Sequence, residues 1–182
     1  MTGAAAEDSV VLVDLKDSEV GLAGKLDAHR RGLTHRAISV FIRNSAGALL
    51  MQRRAAGKYH SGGLWANACC SHPLPAENAA AAAQRRLAQE IGIECALQPL
   101  FRTHYRAPVS GGLIEDEVVH VFGGRYDGPV KPDPAEVSET RWIGLPELDR
   151  DLQARPDQYA PWLHHYMRAH REAIAQWMAG AL

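Results

Sequence analysis

No stretch of this 182-residue chain is apolar over the roughly 18–20 residues that a membrane-spanning helix needs. Its start, MTGAAAEDS, is acidic and lacks the basic and then apolar build of a secretory signal. Cysteine is scarce: three residues, two of them adjacent at Cys69 and Cys70, make no disulfide framework. These absences predict a cytoplasmic protein with free thiols and no membrane partner. An excess of charge of one sign is also missing. Twenty Lys+Arg stand against 21 Asp+Glu, a net charge of −1, which argues against a general nucleic-acid-binding surface. Repeats and linkers are absent too. At 46% hydrophobic and 23% charged residues, the chain has enough apolar material for a core. One domain over 10–182 is expected, after a loose tail over 1–9, as a monomer or weak dimer.

What is present reads as strands mixed with a few helices. VVLVD at 10–14 and AISVFIRN at 37–44 have strand composition, and ALLMQRR at 48–54 returns as a hairpin arm after Gly47. The polar segment 24–36 reads as irregular. A glycine-rich loop covers 57–65, and WANACCSHP at 65–73 is a short strand ending at proline. PAENAAAAAQRRLAQEIG is a helix by composition, with Ala80, Ala83, Leu87 and Ile91 on one face and Gly92 as its stop. Strands follow near 94–107 and 113–126, then a proline-rich turn and a strand running into a short helix at 140–148. Pro161 opens a last helix in which Trp162, Tyr166, His170, Ala173 and Trp177 recur at helical spacing. Hairpins and helices on a mixed sheet predict an α+β sandwich.

Strand parity groups the chemistry-bearing residues. Cys70, a candidate nucleophile or acid, and His72 share a face, and Cys69 points the other way. Glu115 and Glu117 share a face with Val119 and Val121, opposite Asp116 and His120. Two carboxylates this close repel when buried and invite a metal ion or a cationic intermediate. On the pair alone, ordinary surface acids are the simpler reading. His29 and His35 are six apart, an offset that suits a loop rather than one helix face. With His72 they would complete a mixed nitrogen–oxygen set suited to a divalent first-row metal. His60, His104, His120, His164, His165 and His170 read as surface residues.

The helix carries a longer pattern. Ser71, Glu77, Arg85, Arg86, Leu87, Gln89, Glu90, Gly92 and Ile93 keep the spacing of the Nudix box. Ser71 stands for its glycine, and Arg86 and Gln89 stand for two of its glutamates. That box clusters carboxylates around the magnesium of a diphosphate. With only Glu90 left of the terminal glutamates, a hydrolase that makes a metal-bound hydroxide would be crippled. Holding a diphosphate needs fewer ligands, and Arg86 favours an anion there.

WANACCSHP resembles the W-x-N-x-x-C-x-H-P signature of type I isopentenyl diphosphate isomerases, and EDEV resembles their E-x-E motif. The likeness runs from about Val10 to the Trp162 helix. It implies a Nudix-type α/β/α sandwich with a mixed sheet and an N-terminal extension. The implied activity interconverts isopentenyl and dimethylallyl diphosphate, in isoprenoid biosynthesis, through a tertiary carbocation. It also implies site residues. Cys70 and Glu117 would be the catalytic pair on opposite faces of the substrate, Tyr105 would relay the proton at Glu117, and Trp162 would face the cation. His29, His35, His72, Glu115 and Glu117 would hold one divalent metal, Mn2+, Zn2+ or Mg2+. Glu90 would serve a Mg2+ bound with the diphosphate, and Lys25, Arg54, Lys58 and Arg86 would surround that small-molecule partner. Cys69 and Cys95 receive no role. Two rivals are a Nudix hydrolase of a nucleoside or other diphosphate, which has no need of Cys70, and a non-catalytic binding module. The module leaves unexplained why a cysteine, three histidines and two glutamates stay in register.

Overall fold

The computed structural model describes residues 8–180. Residues 1–7, most of the expected tail, lie outside it, and Ser9 already opens the first strand. In chain order the elements are β1 (Ser9–Val13), β2 (Glu19–Gly24), α1 (Lys25–Arg31), β3 (His35–Arg43), β4 (Ala48–Arg54), β5 (Trp65–Asn67) and β6 (Cys69–Ser71). Then come α2 (Ala79–Ile91), β7 (Leu97–Val109), β8 (Leu113–Arg125), β9 (Val137–Gly144), α3 (Leu145–Ala154), α4 (Pro161–Ala169) and α5 (Arg171–Met178). None of these helices is long and apolar enough to cross a membrane.

β3 is the organising strand. It pairs in parallel with β8 from His35↔Glu117 to Arg43↔Arg125, and antiparallel with β6 on its other edge through Ile38↔Ser71, Ser39↔Cys70 and Val40↔Cys69. β7 extends the sheet beyond β8 as an antiparallel arm, with Tyr105 opposite Glu117. The expected β3–β4 hairpin exists only at its base, where Arg43 faces Leu49. Both edges of β3 are taken, so β4 peels away to pair with β5 and β9.

Alternation along β3 sends side chains into two cores. Ile38, Val40 and Ile42 meet Leu87 and Ile91 of α2, with Cys69, on one face. Ala37 and Phe41 join Val119, Val121, Tyr166 and Trp177 under α3–α5 on the other. Each large apolar side chain so buried contributes roughly 1.5–3 kcal/mol. The result is the mixed sheet between helical layers that the sequence implied.

Several boundaries differ from expectation. Segment 24–36 is not irregular: Lys25–Arg31 forms two helical turns, of which only Ala28 and His29 are buried. Its polar composition hid it, and it is held by docking rather than by an apolar stripe. Gly32 ends it in the left-handed conformation (φ 59), which turns the chain directly into β3. The β2 strand was not foreseen. α2 starts at Ala79, where the Asn78 side chain accepts from the Ala81 N–H, and Ala80 is exposed rather than part of the apolar face. The last helix is two helices. At His170 the backbone leaves helical space (φ −132, ψ 16), and α5 folds Ile174 and Trp177 back onto the same core.

Candidate active site

The register of β3, β7 and β8 builds the first half of the site. His35 and Tyr105 both lie opposite Glu117, one on each side, so the three side chains share a face. His29 arrives from the last turn of α1 and is fully buried, as is His35. Their rings lie 4.8 Å apart between centroids, because Gly32 brings helix and strand together. The spacing of six thus bridges a helix and a strand, where a loop was expected.

Both rings have a fixed tautomer. His29 donates Nδ1–H to the Lys25 carbonyl at 2.7 Å, and His35 donates Nδ1–H to the Leu33 carbonyl at 2.7 Å. A carbonyl only accepts, so Nδ1 of each ring carries its proton, and Nε2 holds a lone pair for the site whenever the ring is neutral. Against its burial, the hydrogen bond and charge of Glu117 raise the pKa of His35. His35 Nε2 lies 3.4 Å from Glu117 Oε1, His72 Nε2 lies 2.9 Å from the same oxygen, and His29 Nε2 lies 3.6 Å from Glu115 Oε2. His29, His35, His72 and Glu117 converge within 4.8 Å. His35 Nε2 and Glu115 Oε2 are buried and have no hydrogen-bond partner. Two buried carboxylates, three imidazoles and orphaned ligand atoms fit a divalent ion of the first row.

Electrostatics at this cluster follow the same geometry. Burial works against the Glu117 carboxylate, but the hydrogen bond and charge of His35 outweigh it and hold Glu117 down to about 2. Burial drives His72 well below the ordinary imidazole range, helped by the charges of His35 and Lys25. Tyr105 is pushed up by burial and by both glutamates. It therefore keeps its proton and donates it to Glu117 Oε2 at 3.0 Å.

The second half of the site comes from β6. Cys70 faces the pocket and Cys69 is sealed in the α2 core, as parity implied. The Cys70 sulfur lies 3.3 Å from both Ser39 Oγ and Asn67 Oδ1, and Asn67 in turn donates to Ser39 Oγ at 2.8 Å. Burial pushes the Cys70 thiol up to about 12, so sulfur holds its proton at neutral pH. Trp162 and Tyr166 of α4 line the same pocket.

At the mouth sit the cations. Burial, then Lys58 and Arg86, lower the pKa of Lys25. Three cations set this close together favour an anion between them. Arg86, the departure from the Nudix box, binds Glu90 at 2.5 Å and reaches Glu136 at 3.3 Å. Lys58 also pairs with Glu136. Arg54 lies over the Trp162 ring at 5.1 Å. Glu77 of the box is bound by Arg85 at 2.7 Å.

The structure brings together the residues that the resemblance implied for catalysis, diphosphate and metal. Lys25, Arg54, Lys58, Cys70, His72, Arg86, Glu90, Tyr105, Glu115, Glu117 and Trp162 line one pocket, and His29 and His35 lie against its two glutamates. Sequence reasoning missed Glu136 and His60. His60, read as a surface residue, is only 4% exposed and lies 2.9 Å from Glu115. Its position within the glycine-rich loop was the only signal for it. Cys95 packs on the α2 core.

The NUDIX domain family matches residues 33–165. The chain is 52% identical over 157 residues to Isopentenyl-diphosphate Delta-isomerase 2 of Aromatoleum aromaticum, covering 86% of this chain and 83% of that one. It is 48% identical over 158 residues to the Isopentenyl-diphosphate Delta-isomerase of Burkholderia multivorans, covering 87% and 90%. Among solved structures, it superposes on a Deinococcus radiodurans protein with a TM-score of 0.74 at 21% identity, covering 89% and 99%. A MutT protein from Methanosarcina mazei follows with a TM-score of 0.62 at 20% identity, covering 76% and 94%. Likeness at that identity is likeness of fold.

Proposed function

The chain belongs to the isopentenyl-diphosphate Delta-isomerases within the NUDIX domain family, and on that footing we propose how its pocket moves the double bond. The enzyme interconverts isopentenyl and dimethylallyl diphosphate. One carbon of the alkene gains a proton and another loses one, by way of a tertiary carbocation. The observation that carries the assignment of roles is that Cys70 and the Glu117–Tyr105 pair line one buried pocket with Trp162. Sulfur holds its proton and Glu117 is ionised. One proton-bearing and one proton-accepting group are thus present before substrate arrives, which a reversible proton shift requires.

The remaining residues protect the cation and hold the diphosphate. A carbocation is captured by water, so the pocket must be closed and free of attacking lone pairs. The Trp162 indole offers a π face, worth about 2 kcal/mol or more to a desolvated cation. Tyr105 shuttles the proton at Glu117 through its 3.0 Å bond. Lys25, Arg54, Lys58 and Arg86 receive the diphosphate at the mouth, and Lys58 and Arg86 exchange Glu136 for it. His29, His35, His72, Glu115 and Glu117 would hold one divalent ion (Mn2+, Zn2+ or Mg2+) that would fix the glutamates, and Glu90 would hold a Mg2+ that would neutralise diphosphate oxygens. A free Cys70 thiol suits a reducing cytoplasm.

The hydrolase alternative lacks two of its carboxylates. Arg86 occupies one position as a cation, and Gln89 occupies another. Incubation with isopentenyl diphosphate and Mg2+ should yield dimethylallyl diphosphate without free phosphate or diphosphate. Release of either with no isomer formed would overturn this reading.

A further inference from the structure

We infer that His60 is an outer partner of the metal centre: it donates Nε2–H to Glu115 Oε1 and so turns Glu115 Oε2 toward the ion. This rests on the metal-binding role proposed for the histidine–glutamate cluster. The bond measures 2.9 Å, and both residues are almost wholly buried. A carboxylate can only accept, so His60 Nε2 carries the proton and has no lone pair to give a metal. Nδ1 is then the acceptor, and the Ser61 hydroxyl lies 3.1 Å from it. The other oxygen of Glu115 is buried without a partner and faces His29 Nε2 at 3.6 Å.

The loop is held in this arrangement at a cost. Ser61 has a left-handed backbone (φ 52), and its N–H is anchored by Ser110 Oγ at 2.9 Å. The His60 carbonyl accepts from Arg54 at 3.2 Å, and its ring meets the Trp162 edge at 6.1 Å between centroids. His60 therefore ties Glu115 to the loop that carries Lys58.

His29, His60 and Glu115 also converge closely enough to suggest a second ion. His29 has one nitrogen with a lone pair to give, Nε2, which lies 3.3 Å from the Tyr59 hydroxyl, since its Nδ1–H is spent on the Lys25 carbonyl. One lone pair cannot serve two ions, so the two groups share one metal, with His60 behind the carboxylate. Such outer partners are worth about 10–100-fold in metal affinity.

The test titrates Mn2+ alone into full-length protein stripped of metal, with free Mn2+ followed by electron paramagnetic resonance. His60→Phe keeps the ring and loses the donor, and affinity should fall about 10–100-fold. His60→Gln keeps an N–H donor and should recover most of that loss. A glutamine variant as weak as the phenylalanine one would overturn the inference. His72→Ala is the control for the metal centre itself. If His60→Phe binds like the wild type while His72→Ala loses Mn2+, the inference fails and the metal centre stands. If both bind like the wild type, the metal-centre reading fails and takes the inference with it. Should circular dichroism show His60→Phe unfolded, Ser61→Gly carries the test. It removes the hydroxyl that orients His60 and relaxes the strained backbone. Weakened Mn2+ binding there supports the inference, and wild-type binding overturns it.

Discussion

At the scale of single residues, Cys69 and Cys70 are neighbours with opposite surroundings. Cys70 touches Ser39 and Asn67 at the pocket wall, and Cys69 lies fully buried against α2. Cys70→Ala should lower turnover by about 10²–10⁴-fold with the fold intact. Cys69→Ala should keep most of the turnover and lose about 1 kcal/mol of stability to a small cavity. Steady-state assays beside denaturant melts separate the two, and equal losses of activity would end the parity argument. Parity made this pair legible, because a period of two holds wherever a strand is flat. His60 was not legible. It lies in a loop, where no period applies, and its partner Glu115 is far along the chain.

At the scale of elements, the loop before α2 is fastened by Glu77. Its carboxylate accepts from Arg85 at 2.8 and 2.7 Å and from the Leu74 N–H at 2.8 Å. The Arg85 hydrogen bond, against some burial, lowers the Glu77 pKa from the ordinary 4.5. A depressed carboxylate stabilises the fold above its unfolded pKa, and the gain is lost as pH falls through the folded one. Glu77→Gln should therefore melt below the wild type at neutral pH, with the gap closing as the pH drops below about 4.3. Melting curves that stay a constant distance apart down to low pH would contradict this. α2 itself was readable from its alanines and its glycine stop. α1 was not, because its two polar turns are held by tertiary contact. The break at His170 was also hidden, since Trp162 and Trp177 keep helical spacing across it and both bury.

At the scale of the whole molecule, the proposed metal ligands come from α1, β3, β8 and the segment after β6. They meet only when both cores are assembled. An ion that binds this arrangement and not the unfolded chain adds stability by mass action, about 2.7 kcal/mol at a hundredfold excess over Kd. Chelation should lower the melting temperature of the wild type and leave that of a Glu115→Gln, Glu117→Gln double variant nearly unchanged. Calorimetry with and without chelator checks this. The sandwich was legible because apolar periodicity marks strands and helices. The peeling of β4 from β3 was not, since it depends on which strands compete for an edge.

The parallel pairing of β3 with β8 also fixes an order in time. Parallel neighbours need a long crossover, and such distant contacts form late in folding. His72 and Glu117 are 45 residues apart, and His29 and His35 precede both. A chain emerging from synthesis shows its three imidazoles well before either carboxylate. In that interval the proposed site has its imidazoles without Glu115 and Glu117. The carboxylates of the proposed metal site arrive with β8, so that site is complete only once β8 has been made.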